Sequence, residues 1–197
     1  MITLCITFVE NKNHFKMKAI ERIETKENYE VIKQDAIERF AEDKYKYEAL
    51  AILIGLDSGL RASDLLNLKV EDITYNEIKD RYECVSSIKK TKVANHKTTI
   101  SKATYKTFKA LKIHSGYIFI NPKTDRLFTR IWLTKRMKLR YGFSFHNLRK
   151  ISAKRILEVG TLADAQRHLA HKRISSTDAY LNVSVEDSLD RLSVLYK

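Results

Sequence analysis

The chain has 197 residues with a single proline and five glycines, enough for one domain with a core and too little punctuation for long flexible linkers. Lysine and arginine outnumber aspartate and glutamate by 37 to 24, a net charge of +13 that points to a polyanionic partner. Cys5 and Cys84 are too few for a disulfide framework, and the longest apolar run, residues 49–56, is far too short to span a membrane, so a cytoplasmic location is expected.

In chain order, Ile2, Leu4, Ile6 and Phe8 alternate with Thr3, Cys5 and Thr7, which predicts a strand in an N-terminal arm over residues 1–33. The same stretch also reads as a linker from something upstream. It has neither a positive flank nor a small-residue cleavage site, so it is not a signal peptide. From Ile32 to Leu56, the positions Ala36, Ile37, Phe40, Ala41, Tyr47, Leu50, Ala51 and Ile54 recur at helical spacing and end at Gly55 and Gly59. One or two long amphipathic helices are predicted there. Residues 58–73, SGLRASDLLNLKVEDI, read as a turn and a short helix capped by Ser63.

Residues 81–101, RYECVSSIKKTKVANHKTTIS, are rich in strand formers and predict a β-hairpin whose basic tip gathers Lys89, Lys90, Lys92, His96 and Lys97. Ser101 caps a helix carrying Tyr105, Phe108, Ala110 and Leu111, and Thr129 caps another carrying Ile131, Trp132, Met137 and Leu139. A further helix carries Leu148, Ile151, Ala153, Ile156 and Leu157, with Gly160 as its C′ residue, and Thr161 starts the next. Ser184 caps a terminal helix over 184–197 with an apolar stripe at Val185, Leu189, Leu192 and Tyr196. The expected fold is mainly α with a small antiparallel β-sheet (α+β), a single domain over 34–183 followed by that helix.

Four places set polar groups among apolar helical positions. Arg61 follows a glycine turn, three residues before Asp64. A cation at a helix start gains nothing from the macrodipole and suggests a bound anion, with Asp64 orienting the guanidinium; a solvated surface pair is the alternative. His146 and Arg149 share one face of a helical turn, and Tyr180 lies nine residues beyond His171. His168 and His171 form an H-x-x-H pair with no third metal ligand nearby, so no metal is expected. The hairpin lysines are either a solvated turn or a finger that enters a groove.

Together these are what attack on a phosphodiester requires. Its transition state gathers negative charge on the non-bridging oxygens, which the guanidiniums of Arg61 and Arg149 would grip. A tyrosine hydroxyl, with a reference pKa of about 10, needs a proton acceptor such as His146 to act as nucleophile. The departing sugar hydroxyl needs a general acid on a basic element, and Lys90 would serve.

In this order, GLRASDLLNLKVEDI, KKT, HNLRK and LAHKRISSTDAYLNV resemble the motifs of the tyrosine recombinase (phage integrase) family over residues 50–183, its catalytic domain with the DNA breaking-rejoining fold. The resemblance implies a site-specific DNA recombinase acting in integration, excision or inversion. Arg61, Arg149 and His171 would bind the scissile phosphate, and His146 would assist proton transfer. Lys90 would protonate the leaving 5′ oxygen, with Lys89 and Lys92 as rivals, and Tyr180 would form a 3′-phosphotyrosine. No cofactor, metal or ATP is implied. The partners implied are double-stranded DNA, three further copies in a tetramer on that DNA, and accessory DNA-bending or directionality proteins.

Lys89, Lys92, Lys97, Lys135, Arg136, Lys138, Arg140, Lys154, Lys172 and Arg173 are expected as phosphate contacts rather than base readers. Ala170 stands where the family usually has glycine, a strain if that position needs positive φ. Lys150 replaces a common histidine, and the second hairpin strand lacks the usual proline. The N-terminal stretch is short beside the helical DNA-clamping domain most members carry, as in a fragment or a minimal recombinase of the fimbrial-inversion kind. The alternatives to recombination are a type IB topoisomerase-like relaxer and a non-cleaving DNA-binding module of the same fold.

Overall fold

A computed structural model describes residues 26–88 and 93–170; the expected N-terminal strand, the hairpin tip and the helix over 184–197 lie outside the described residues. Seven helices and five strands are described, so the mainly α expectation with small antiparallel sheets is met. α1 (Lys26–Arg39) is followed by a 3-10 turn (Asp43–Tyr45), α2 (Lys46–Ser58) and the short α3 (Ala62–Leu65). The predicted helical span from Ile32 to Leu56 therefore breaks in two.

α2 is not amphipathic. Every residue from Ala49 to Leu56 is buried, because α1, α3 and the helices Lys102–Ala110 and His146–Val159 surround it. A helix apolar on all faces is a core helix. Its last turn places Asp57 as a junction. The carboxylate accepts from Tyr29 Oη of α1 at 2.8 Å, and from Ser101 N at 2.8 Å and Thr104 Oγ1 at 2.5 Å at the head of α4 (Lys102–Ala110). Burial and this neighbouring carboxylate raise the Tyr29 phenol above its ordinary range.

The hairpin forms as β2 (Arg81–Ile88) against β3 (Val93–Ile100), and β1 (Ile73–Asn76), which the sequence pattern does not predict, adds a third antiparallel strand beside β2. Cys84, Ser86 and Ile88 of β2 and His96, Thr98 and Ile100 of β3 are buried, the period of two expected of a sheet with one face on a core. The Cys84 thiol is pushed up to about 12 by that burial. A two-stranded ribbon of β4 (Ile120–Asn121) and β5 (Arg126–Leu127), also not predicted, leads into α5 (Arg130–Tyr141). It is joined by α6 (His146–Val159) and α7 (Leu162–His168).

The caps show which local signals hold. Ser101, Thr129 and Thr161 cap α4, α5 and α7 as expected, each side-chain oxygen accepting a backbone N–H of the first turn. Ser63 does not cap α3: it lies inside the helix, and Arg61 is the N-cap residue. Gly160 is extended (φ −142°) rather than left-handed; a Cβ there would meet Asp164 Oδ2 and the Ile156 carbonyl at 3.1 Å. On α5 the buried positions are Leu133, Met137 and Tyr141, while Ile131 and Leu139 face outward at 64% and 54% exposure. α2 and α6 approach closely at Gly55, where a Cβ would lie 2.5 Å from Phe145 Cζ. That approach carries α6 and its basic first turn up to the end of α2.

Candidate active site

The end of α2, the start of α3, the inner face of β3, the middle of α6 and the end of α7 converge. Gly59 makes this convergence sterically feasible. It ends α2 in the left-handed conformation (φ +60°), its N–H bonded to the Gly55 carbonyl at 3.1 Å. A Cβ there would lie 2.9 Å from Leu169 Cδ2, 3.1 Å from Ser152 Oγ and 3.2 Å from His168 Nε2. Only glycine satisfies both the dihedral and the space.

Arg149 is 2% exposed, and its guanidinium ties two segments together. Nη1 donates to the Gly59 carbonyl at 2.5 Å and Nη2 to the Leu169 carbonyl. One residue past Gly59 and Leu60, Arg61 is half-buried in extended backbone, and its carbonyl accepts from the Asp64 and Leu65 amides to begin α3. Arg61 Nη1 is buried and has no hydrogen-bond partner among the described residues. Asp64 is 4% exposed, which excludes the solvated surface pair.

His96 stands at the centre of this group. It is not part of a solvated tip: it lies inward on β3 at 9% exposure, opposite Ser86, with Nε2 2.9 Å from the His168 carbonyl. Burial holds its pKa below the ordinary histidine range and the cations Arg149 and Arg61 add to this, while the bond to the His168 carbonyl and the Asp64 carboxylate oppose it. Arg61, Asp64 and Arg149 are therefore all within electrostatic reach of one imidazole. His168 places Nε2 2.9 Å from Ser152 Oγ of α6, and its pKa is pushed down to about 4 by burial, then by His96 and Arg149.

The remaining expected residues fall as follows. His146 is exposed at the first position of α6, and Arg149, three residues on, is buried. Lys89, Lys90, Lys92, His171, Lys172, Arg173 and Tyr180 lie outside the described residues. Ala170, just before His171, adopts φ +48°, so the glycine-like conformation is required there and alanine bears it.

Among the expected DNA contacts, Lys135 and Lys138 are exposed on α5 and Lys97 is exposed on β3, 3.9 Å from Glu83. Arg136 and Arg140 are engaged by carboxylates. Arg136 Nε is bound at 2.5 Å to Glu48, itself 1% exposed, and Arg140 is paired with Asp35. Their head groups hold α5 to α2 and α1. Sequence reasoning missed His96 as an inward residue, although the alternation Cys84, Ser86, Ile88 opposite His96, Thr98, Ile100 was the signal that could have found it.

Residues 22–187 match the model of the phage integrase family. A tyrosine recombinase of Pseudothermotoga lettingae is 28% identical over 150 residues, covering 70% of this chain and 50% of that protein, so the chain spans half the length of this curated relative. The fold is similar to that of XerH site-specific recombinase bound to a palindromic difH substrate (TM-score 0.69, 16% identity, 93% of this chain and 53% of that one). It also resembles XerA recombinase (TM-score 0.67, 16% identity, 93% and 66%). The Tn1549 transposon integrase bound to circular intermediate DNA is a further likeness (TM-score 0.62, 16% identity, 85% and 63%). With a family match running through the turn of Arg61, the hairpin, α6 and the stretch beyond α7, the chain belongs to the phage integrase family.

Proposed function

We propose that this chain carries the catalytic domain, residues 34–183, of a site-specific DNA recombinase that cuts and rejoins DNA through a 3′-phosphotyrosine, without metal or ATP. The observation that carries this reading is the half-buried Arg61, grouped with Asp64 and Arg149 around His96: a convergent cluster in which the buried Arg61 Nη1 has no protein acceptor among the described residues. A phosphodiester oxygen is the acceptor such a fork suits. The DNA held by the XerH and Tn1549 relatives is consistent with that ligand.

In this mechanism Tyr180 Oη attacks the phosphorus. The P–O bond to tyrosine forms as the P–O5′ bond breaks, His146 takes the tyrosine proton and Lys90 protonates the departing O5′. Arg61, Arg149 and His171 stabilise the charge that develops on the non-bridging oxygens. The phosphotyrosine keeps the energy of the broken bond, so attack by a second strand's 5′ hydroxyl reverses the step without a nucleotide. The working assembly is a tetramer on two duplexes, with the helix over 184–197 contacting a neighbouring copy and accessory proteins setting direction. Lys97, Lys135 and Lys138 hold DNA phosphates, with Lys89, Lys92, Lys172 and Arg173, at whatever cellular site the DNA occupies.

The test is covalent trapping. The chain is incubated with nicked duplex DNA from its own genomic neighbourhood, and a denaturation-resistant protein–DNA band is sought with and without chelator. The band is expected to persist with chelator and to vanish in Tyr180→Phe while DNA binding is retained. A band of undiminished strength in Tyr180→Phe would overturn the mechanism.

A further inference from the structure

We propose that His96 is a positioning residue for the catalytic pocket: its imidazole, with the Arg149 guanidinium, holds the last carbonyls of α7 and so fixes where the chain delivers His171. This rests on the recombinase reading of His171. The final carbonyls of a helix have no intrahelical donor and must find another partner or water. Here two consecutive ones are claimed by side chains from other elements, His168 by His96 Nε2 at 2.9 Å and Leu169 by Arg149 Nη2. A carbonyl only accepts, so His96 carries its proton on Nε2.

The segment held this way cannot position itself by local preference. Ala170 turns the chain with φ +48°, a conformation an alanine avoids unless its surroundings impose it. Two native amide bonds report the docked turn, Leu169 N to the Ala165 carbonyl at 3.0 Å and Ala170 N to the Arg167 carbonyl at 3.1 Å. The groups facing His96 are Arg61 and Asp64 at the start of α3, Arg149 on α6 and His168 at the end of α7. Burial and the two arginines disfavour a charged ring, and a neutral ring with its proton on Nε2 makes this bond without adding a third cation to the phosphate site.

The experiment compares His96→Gln, whose amide can donate from near the Nε2 position, with His96→Leu, which fills similar space and donates nothing. Two readouts are taken on the full chain: hydrogen exchange of the Leu169 and Ala170 amides without DNA, and the rate of covalent adduct formation on the nicked duplex. In His96→Leu, exchange at both amides is expected to quicken by about five- to ten-fold, the loss of one buried hydrogen bond. Adduct formation is expected to slow by about ten- to a hundred-fold. His96→Gln is expected to restore both toward wild type, which a residue that merely fills space would not do. Unchanged exchange in His96→Leu, or failure of His96→Gln to rescue, overturns the positioning role. If wild type itself forms no adduct while exchange responds as expected, the recombinase reading falls and the docking role of His96 stands.

Discussion

Two regions of this molecule hold partly or fully buried arginines, and they do so with different partners. Around α5 the cations meet carboxylates: Glu48 binds Arg39 at 2.8 Å and Arg136 at 2.5 Å, and Asp35 binds Arg140 and accepts from Tyr141 Oη at 2.6 Å. At the junction of α2, α6 and α7, the Arg149 bonds run to the carbonyls of Gly59 and Leu169, and Arg61 Nη1 has no acceptor among the described residues. A carboxylate cancels a guanidinium's charge, whereas a carbonyl orients it and leaves most of its field intact. The first arrangement fastens helices together. The second sets two guanidiniums against the single carboxylate of Asp64, so net positive charge stays where an anion can use it.

Breaking the first region has the largest expected effect. Glu48 is 1% exposed and compensates two guanidiniums, so Glu48→Gln leaves both facing a neutral amide at a largely buried position. Loss of one partner of a buried ion pair costs about 3 kcal/mol or more. Urea unfolding is expected to show that loss, and Arg136→Met in the Glu48→Gln background is expected to recover part of it. If Glu48→Gln costs nothing, the carboxylate is not what holds α5 to α2, and the contrast between the regions disappears.

The second region is sharpened by pH. The His168 pKa is pushed down to about 4, by burial first and then by His96 and Arg149, with Asp57 opposing. In the unfolded chain the same group titrates at about 6.5. Between these values the unfolded chain binds a proton that the folded chain refuses, so stability falls as pH is lowered from about 6.5 toward 4. Between pH 7 and 4.5 the wild type is expected to lose about 2 kcal/mol more than His168→Gln, measured by urea unfolding at both pH values. Parallel losses in the two proteins would mean that His168 does not sit neutral against a cationic pocket.

How much of this contrast was legible in the sequence depends on the range of each interaction. Caps are local, and Ser101, Thr129 and Thr161 are found where the pattern put them. The order Arg61, hairpin, His146, Arg149 was legible through its resemblance to a family's motifs, and residues 22–187 match that family's model. The partners of individual cations were not. Arg136 and Lys135 are neighbours in a basic helix, yet one reaches Glu48, 88 residues away in sequence, and the other is exposed. His96 was placed at a basic tip because it sits among lysines; the strand's alternation, continued two residues further, turns it inward. β1 and the β4–β5 ribbon were missed because strands of four and two residues carry too little periodicity to read.

The smallest expected effect bears on the segment between α7 and His171. Ala170 has φ +48°, where an L-residue's Cβ crowds the neighbouring backbone at about 1–2 kcal/mol, while glycine adopts the same angle freely. Glycine also gives the unfolded chain more freedom, which offsets part of the gain by about 0.5–1 kcal/mol. Ala170→Gly is therefore expected to stabilise the protein by about 0.5–1 kcal/mol, seen as a rise in Tm. The sign matters more than the size. Stabilisation would mean that the His96 and Arg149 contacts hold an alanine in a conformation it resists, so the carbonyl-bound region stores strain as well as charge. Destabilisation would mean that the Ala170 methyl packs well enough to outweigh the strain, since that residue also packs against the core cluster.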